Sequence, residues 1–243
     1  MEVHHHPHVE KKNFKEYFLE FLMIFLAVTM GFFAENIRES IGEHSKEQEY
    51  MYALVEDLKS DTSLINIAVQ NNSQAASSDS VFLKFLGNAK TDSSAFYHTF
   101  ESIGKTTLFI TEFQDSKTFD ELKSTGDIRL IRSKKVFDSM SLYYQSVEQI
   151  KMFRDEIQRG LEFSYDRFYK VIDFYSFTHN YSSFSQAFKD RNKIITSDED
   201  LMKEYRNAVF LLSVFYRTYD NKLAIQKGAA LKLIQLIRDE YHF

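Results

Sequence analysis

Near its start the chain has a continuous apolar segment, and beyond it a periodic pattern of apolar and polar positions. Residues 17–34, YFLEFLMIFLAVTMGFFA, carry one formal charge, at Glu20. At about 1.5 Å of rise per residue, a helix over this segment is roughly 27 Å long, close to the hydrocarbon thickness of a bilayer. A lone span in lipid must be helical, because no water satisfies its backbone polar groups there. We therefore predict one transmembrane helix over residues 14–35.

Two other interpretations of this segment fit its length less well. A cleaved signal peptide has a shorter apolar region followed by a small-residue cleavage site, whereas this segment ends in Phe32, Phe33, Ala34 and Glu35. A buried core helix usually carries an apolar run of only about 10–14 residues. The transmembrane interpretation is the one that the length supports.

The charges on either side of the span predict its orientation. Three lysines, Lys11, Lys12 and Lys15, precede it, and two basic residues, Arg38 and Lys46, follow it over a similar distance. Cytoplasmic flanks carry an excess of Lys and Arg. We therefore expect a single-pass protein of an inner membrane, with its N-terminus in the cytoplasm and its C-terminal domain in a periplasm.

Beyond the span, the apolar residues recur at the three- and four-residue spacing of one helix face. This pattern predicts a helical stalk over 36–72. A polar stretch at 71–80, NNSQAASSDS, predicts a break before a helical-bundle domain over 73–243. The expected fold is all-α, with one transmembrane helix that continues into the stalk and the bundle. The periodic residues of the stalk are Tyr50, Leu54, Leu58, Ile65 and Ala68.

Local signals place helix ends within the bundle. After a short helix that carries Phe119 and Leu122, Gly126 predicts a left-handed stop. Ser133 predicts the N-cap of a long helix that reaches about Tyr175. A polar connector over 176–186 and a last helix over 198–241 follow. Ser197, with Asp198, Glu199 and Asp200, predicts the N-terminus of that helix, because acidic residues suit a first turn. The apolar run 209–216, VFLLSVFY, is too short to cross a membrane and is interpreted as core.

Composition removes several classes of function. The 243 residues include one proline, Pro7, and seven glycines, which favours a chain that is almost wholly helical. They include no cysteine, so disulfides, thiol nucleophiles and cysteine-bound metals are excluded. A net charge of −5 argues against nucleic acid as a partner. With no tryptophan, 24 Phe and 14 Tyr are available to fill the space between helices.

The leader, residues 1–13, contains a dense group of imidazoles that predicts a divalent-metal site. Four histidines this close together can bind Zn, Ni or Cu. A purification tag and a solvated leader that meets headgroups or a partner are the alternatives. No other cofactor is expected. The four residues are His4, His5, His6 and His8.

One face of the predicted span carries small residues and a carboxylate. Ala27 and Gly31 form a small-x-x-x-small pair, which lets two helix backbones approach closely. Glu20 and Ala34 lie on the same broad face. Glu20 is a candidate for a proton path or for pairing with a partner lysine, or it reaches the headgroup layer from its place near the helix end. The face predicts a homo-oligomer or contact with another inner-membrane protein.

Two stretches together resemble one family. EFLMIFLAVTMGFFAENIRE, 20–39, with EQEYMYALVEDLKSDTSLI after it, and FDELKSTGDIRLIRSKKVFDSMSLYY, 119–144, are similar to recurrent blocks of a large group of uncharacterised single-pass membrane proteins widespread in Bacteroidetes. MEVHHHPH is similar to the leader of that group. The resemblance covers most of the first 150 residues. It implies a Gram-negative inner membrane and a periplasmic helical domain, and it brings no activity and no catalytic residues.

The function expected is that of a non-enzymatic, membrane-anchored scaffold or partner-binding subunit. The sequence has no HExxH, GxSxG, P-loop or GxGxxG motif, and we predict no catalytic residues. Two alternatives come from other classes. One is a subunit of an ion-coupled transport or energy-transducing complex in which Glu20 carries a proton, and the other is a helical bundle that senses a small ligand.

Overall fold

The computed structural model describes residues 13–86, 117–180, 189–190 and 195–243. Within these residues the fold is all-α, as predicted, and β-pairing is limited to one isolated bridge between Ile172 and Ile195. Five α-helices and one short 3-10 helix make up the described chain. They are α1 (Phe14–Leu86), α2 (Lys117–Thr125), the 3-10 helix (Asp127–Leu130), α3 (Lys134–Val171), α4 (Phe174–Asn180) and α5 (Glu199–Tyr241).

The chain divides into two compact units, and α1 contributes to both. The first unit covers the chain up to Glu49, and the second is Tyr50–Phe243. The sequence placed the start of the bundle at residue 73. The structure places residues 50–72 in the second unit, because the apolar face predicted there is buried in its core: Tyr50, Leu54, Leu58, Ile65 and Ala68 are all at most 9% exposed.

The predicted break at 71–80 is wrong, because α1 continues without interruption to Leu86. Asn72 and Ala75 are buried and extend the face of Ile65 and Ala68 at alternating spacings of three and four residues. The polar composition of 71–80 indicated a loop, whereas the spacing of the buried positions continues through this stretch as it does in the rest of α1.

The three long helices of the second unit share a seven-residue repeat. Core positions alternate three and four residues apart along each helix, which is the spacing that lets helices pack side by side with interlocking side chains. A bundle of coiled-coil type therefore forms the body of this unit. The buried repeat positions are Met51, Leu54, Leu58, Asp61, Ile65, Ala68, Asn72 and Ala75 of α1, Val136, Met140, Tyr143, Val147, Ile150, Ile157, Leu161, Ser164, Phe168 and Val171 of α3, and Met202, Tyr205, Val209, Leu212, Tyr216, Tyr219, Leu223, Gln226, Ala230, Leu233 and Ile237 of α5.

Helix α2 and the 3-10 helix after it are held against α1 by polar contacts. The backbone N–H of Thr118 donates to Asp57 Oδ2 at 3.0 Å, which satisfies an open donor in the first turn of α2. The Tyr50 hydroxyl donates to Asp127 Oδ2 at 2.8 Å. Gly126 has φ 76°, so the predicted left-handed stop is confirmed. This patterned segment therefore has a structural role.

Helix ends follow the sequence signals with small corrections. The Ser133 hydroxyl accepts the N–H of Val136, which confirms the predicted cap. Helix α3 ends at Val171 rather than Tyr175, because Ile172 is extended and the Val171 carbonyl accepts the N–H of Thr196 at 2.8 Å. Helix α4 occupies part of the expected connector. The cap of α5 is Asp198, whose carboxylate accepts the N–H groups of Asp200 and Leu201 at the predicted N-terminus.

Candidate functional site

The first unit exposes an apolar helix surface. An 18-residue window of α1 has a mean hydropathy of 2.0, and none of it is buried. By length and composition this is a helix that is able to cross a membrane. Twelve large apolar side chains are each at least 48% exposed: Tyr17, Phe18, Leu19, Phe21, Met23, Ile24, Phe25, Leu26, Val28, Met30, Phe32 and Phe33.

The structure places the four predicted interface residues on one strip of this helix. At about 100° per residue, Glu20, Ala27, Gly31 and Ala34 fall within roughly 60° of one another around the axis. All four are exposed. A Cβ added at Gly31 would meet no atom within 4 Å, so the strip is open to a second helix.

The predicted metal ligands, His4, His5, His6 and His8, lie outside the described residues. Within residues 13–86, 117–180, 189–190 and 195–243, no group of three or more His, Cys, Asp or Glu side chains is placed to hold a metal ion.

A buried polar network, which the sequence analysis missed, links the three long helices. The Tyr143 hydroxyl donates to Asp61 Oδ2 at 2.7 Å, and both residues are at most 2% exposed. Gln226 Nε2 donates to the Tyr143 carbonyl at 3.3 Å, while its Oε1 accepts from the Ser146 hydroxyl at 2.6 Å. Buried polar groups at repeat positions fix helix register, because a shifted pairing leaves them unsatisfied. Their seven-residue spacing is the signal that identifies them.

A second polar group lies further along the bundle. Asn72 Nδ2 donates to Asp220 Oδ1 at 2.7 Å. Burial raises the pKa of Asp79, which continues the α1 repeat, from 3.8 to about 7. The hydroxyls of Tyr216 and Tyr219 are buried and find no hydrogen-bond partner among the described residues. Burial also raises the pKa of Tyr219 to about 12.

An apolar groove of about 350 Å³ runs along the contact between α3 and α5. The helices approach closely at Gly160, where an added Cβ would lie 3.2 Å from Leu212 Cδ2. The interpretation of 209–216 as core holds for one face, including Leu212, but Phe210 is 63% exposed. The groove is lined by Gly160, Phe163, Glu204, Asn207, Ala208, Leu211, Leu212 and Phe215.

Comparisons with protein-family models, with curated proteins and with solved structures find no match to this chain.

Proposed function

We propose that this protein is a single-pass membrane protein whose helical bundle acts as a non-enzymatic scaffold or partner-binding subunit. Its span crosses an inner membrane, and the excess of lysine before the span supports an N-terminus in the cytoplasm and a bundle in the periplasm. The strip of Glu20, Ala27, Gly31 and Ala34 is the surface through which copies of the span associate.

The exposed apolar helix is the observation that carries this proposal. Its twelve large apolar side chains each leave about half or more of their surface in water, between 48% and 70%. At roughly 1 kcal/mol for each half-exposed side chain, their removal from water is worth on the order of 10 kcal/mol. A gain of that size is comparable to the whole stability of a small domain. Insertion of the helix into lipid removes these side chains from water and so provides this free-energy gain without changing the helix.

The first test of the proposal is fractionation of the intact chain. We expect the protein to pellet with membranes after an alkaline carbonate wash and to need detergent for release, because the apolar helix is embedded. In intact spheroplasts, protease added outside should degrade the bundle. A monodisperse, uncleaved chain in the supernatant without detergent would contradict the membrane anchor. A bundle that the added protease does not degrade would indicate the opposite orientation, with the bundle in the cytoplasm.

Association of the span is tested by adding bulk to the proposed strip. Gly31→Leu should dissociate the oligomer in mild detergent, since a larger side chain keeps two backbones apart. Thr29→Leu is the control: it places the same leucine side chain two residues away, roughly 160° around the helix from the strip. Light scattering that corrects for bound detergent measures the mass. An unchanged mass for Gly31→Leu, or an equal loss in both variants, would rule out this interface.

A further inference from the structure

The outward side of α5 carries a second seven-residue repeat, separate from the one in the core. Its members follow one another at alternating spacings of four and three residues, and all of them are exposed. At about 100° per residue they lie roughly opposite the core positions of the same helix. We call them the outer strip of α5: Asn207, Leu211, Val214, Thr218, Asn221 and Ile225.

The outer strip carries no charged residue over a length of about 27 Å. Its apolar members are well exposed, with Leu211 at 51%, Val214 at 37% and Ile225 at 75%. The exposed side of α3 differs, because it carries ion pairs such as Glu148 with Lys151, at 2.7 Å. A solvated helix face ordinarily carries charged and polar residues, so the outer strip has the composition of a packing surface.

The repeat indicates what kind of partner fits the outer strip. A seven-residue spacing is the one by which two helices pack side by side, so the partner is a helix that lies along α5. A bilayer fits poorly, because the amides of Asn207 and Asn221 would enter hydrocarbon without hydrogen-bond partners. The partner helix must also be uncharged over the same length.

The outer strip of a second copy meets both requirements. When two copies face each other in register, every apolar member of the strip meets its own kind. Asn207 and Asn221 also meet their own kind, and a side-chain amide carries both donors and an acceptor, so it pairs with an identical amide. Asparagine at repeat positions is known to fix the register of parallel helices.

Two cations, Arg217 and Lys222, border the outer strip without belonging to it. Lys222 Nζ lies 5.5 Å from the ring centroid of Phe153 on α3, so this charge is held on the side of the neighbouring helix. Like charges at the exposed edge of a pair are screened by water and salt. They weaken the pairing of two strips without preventing it.

We propose that the outer strip of α5 pairs with the same strip of a second copy, parallel and in register. Six residues a side is fewer than the roughly 20–30 of a standard interface, so the bundles alone pair weakly. Confinement of the copies to one membrane raises their effective concentration and makes a weak contact sufficient. This step rests on the membrane anchor proposed above, and it adds a contact between bundles to the association of the spans.

Single cysteines test the pairing, since the chain has none of its own. The full chain with Ile225→Cys is placed in liposomes and treated with a mild oxidant. In a parallel, in-register pair the two thiols meet and form a disulfide, which appears as a dimer on a gel without reductant. Gln149→Cys, at an exposed position on α3, is the matched control. We expect it to cross-link at least tenfold more slowly.

A charge placed in the outer strip should separate the two copies. Val214→Lys, added to the Ile225→Cys chain, should slow cross-linking at least tenfold, because it brings like charges together at the contact. Gln145→Lys makes the same change of charge at an exposed position of α3 and should leave the rate unchanged. Circular dichroism confirms that each variant keeps its helix content.

Cross-linking of Ile225→Cys no faster than that of Gln149→Cys would overturn the proposal, as would equal slowing by Val214→Lys and Gln145→Lys. Labelling of Ile225→Cys with a maleimide then identifies the alternative. Fast labelling would mean that the outer strip is only solvated, and slow labelling of the monomer would mean that another part of the same chain covers it.

Failure of the outer strip and failure of the anchor give different results. Flotation of the protein with the liposomes reports the anchor, and cross-linking of Ala27→Cys reports the contact between spans. A cross-link through Ala27→Cys without one through Ile225→Cys would remove the α5 contact alone. Should the chain not float, the anchor fails, and the same cross-linking in concentrated solution still tests the outer strip.

Discussion

Replacing Tyr143 by phenylalanine should lower the free energy of unfolding of the bundle by about 2–4 kcal/mol, among the largest effects of any single-atom deletion in this chain. The hydroxyl is the buried donor to Asp61 Oδ2, at 2.7 Å. Burial, followed by the neighbouring Asp61 carboxyl, raises the pKa of the Tyr143 phenol well above its usual range, so it remains a neutral donor. Without it a carboxyl in the core loses a partner that water cannot replace.

Tyr219→Phe is the matched control, because it deletes a buried hydroxyl of the same kind that has no hydrogen-bond partner among the described residues. Removing an unsatisfied polar atom relieves a desolvation cost, so this variant should be neutral or more stable by about 1 kcal/mol. Urea unfolding of the full chain in mild detergent measures both variants, with an unchanged m value as the check on a common unfolded state. Equal losses in the two variants would show that packing, rather than the Asp61 contact, explains the effect.

The local parts of the fold were predictable because their signals are short in range. The buried face from Tyr50 to Ala68 follows from apolar periodicity, and the structure confirms it. Gly126 and Ser133 were found because a left-handed stop and a side-chain cap each depend on one residue and its neighbours.

The interhelical pairs were not predictable, since their partners are distant in sequence. Asp61 and Tyr143 are 82 residues apart, and Asn72 and Asp220 are 148 apart. On composition Asp61 and Asn72 belong to a solvated surface or a loop, and only their places in the seven-residue repeat mark them as buried. The same limitation produced the false break at 71–80, where the repeat continues on small and polar residues.

The repeat also explains why Asp79 has an unusual environment. It follows Asn72 by seven residues and is partly buried. Its carboxyl lies near the phenols of Tyr205 and Tyr216, whose pKa values are raised first by burial and then by the Asp79 charge. A charged carboxylate at this position is therefore poorly solvated, whereas a protonated one is tolerated.

The stability of the bundle should consequently fall as Asp79 ionises. Its pKa in the folded chain, about 7, lies above the value of 3.8 expected when unfolded. The folded state thus holds a proton that the unfolded state has already released, and the stabilisation is complete below about pH 4 and lost as the pH rises to 7. The contribution is on the order of 2–4 kcal/mol, reduced from the full shift because the side chain keeps some contact with water.

Asp79→Asn should remove this dependence, since the amide is neutral at every pH. The variant and the parent should have similar unfolding free energies near pH 4, and at pH 8 the variant should be more stable by about 2–4 kcal/mol. Asp155→Asn, at a side chain that is 60% exposed, makes the same change of charge where solvation is retained and should show no such trend. Urea titrations at half-unit steps from pH 4 to pH 8 measure the unfolding free energies of the parent and of both variants. A difference between Asp79→Asn and the parent that stays constant across this range would mean that the Asp79 carboxyl is solvated in the folded protein and that the bundle is open at that point.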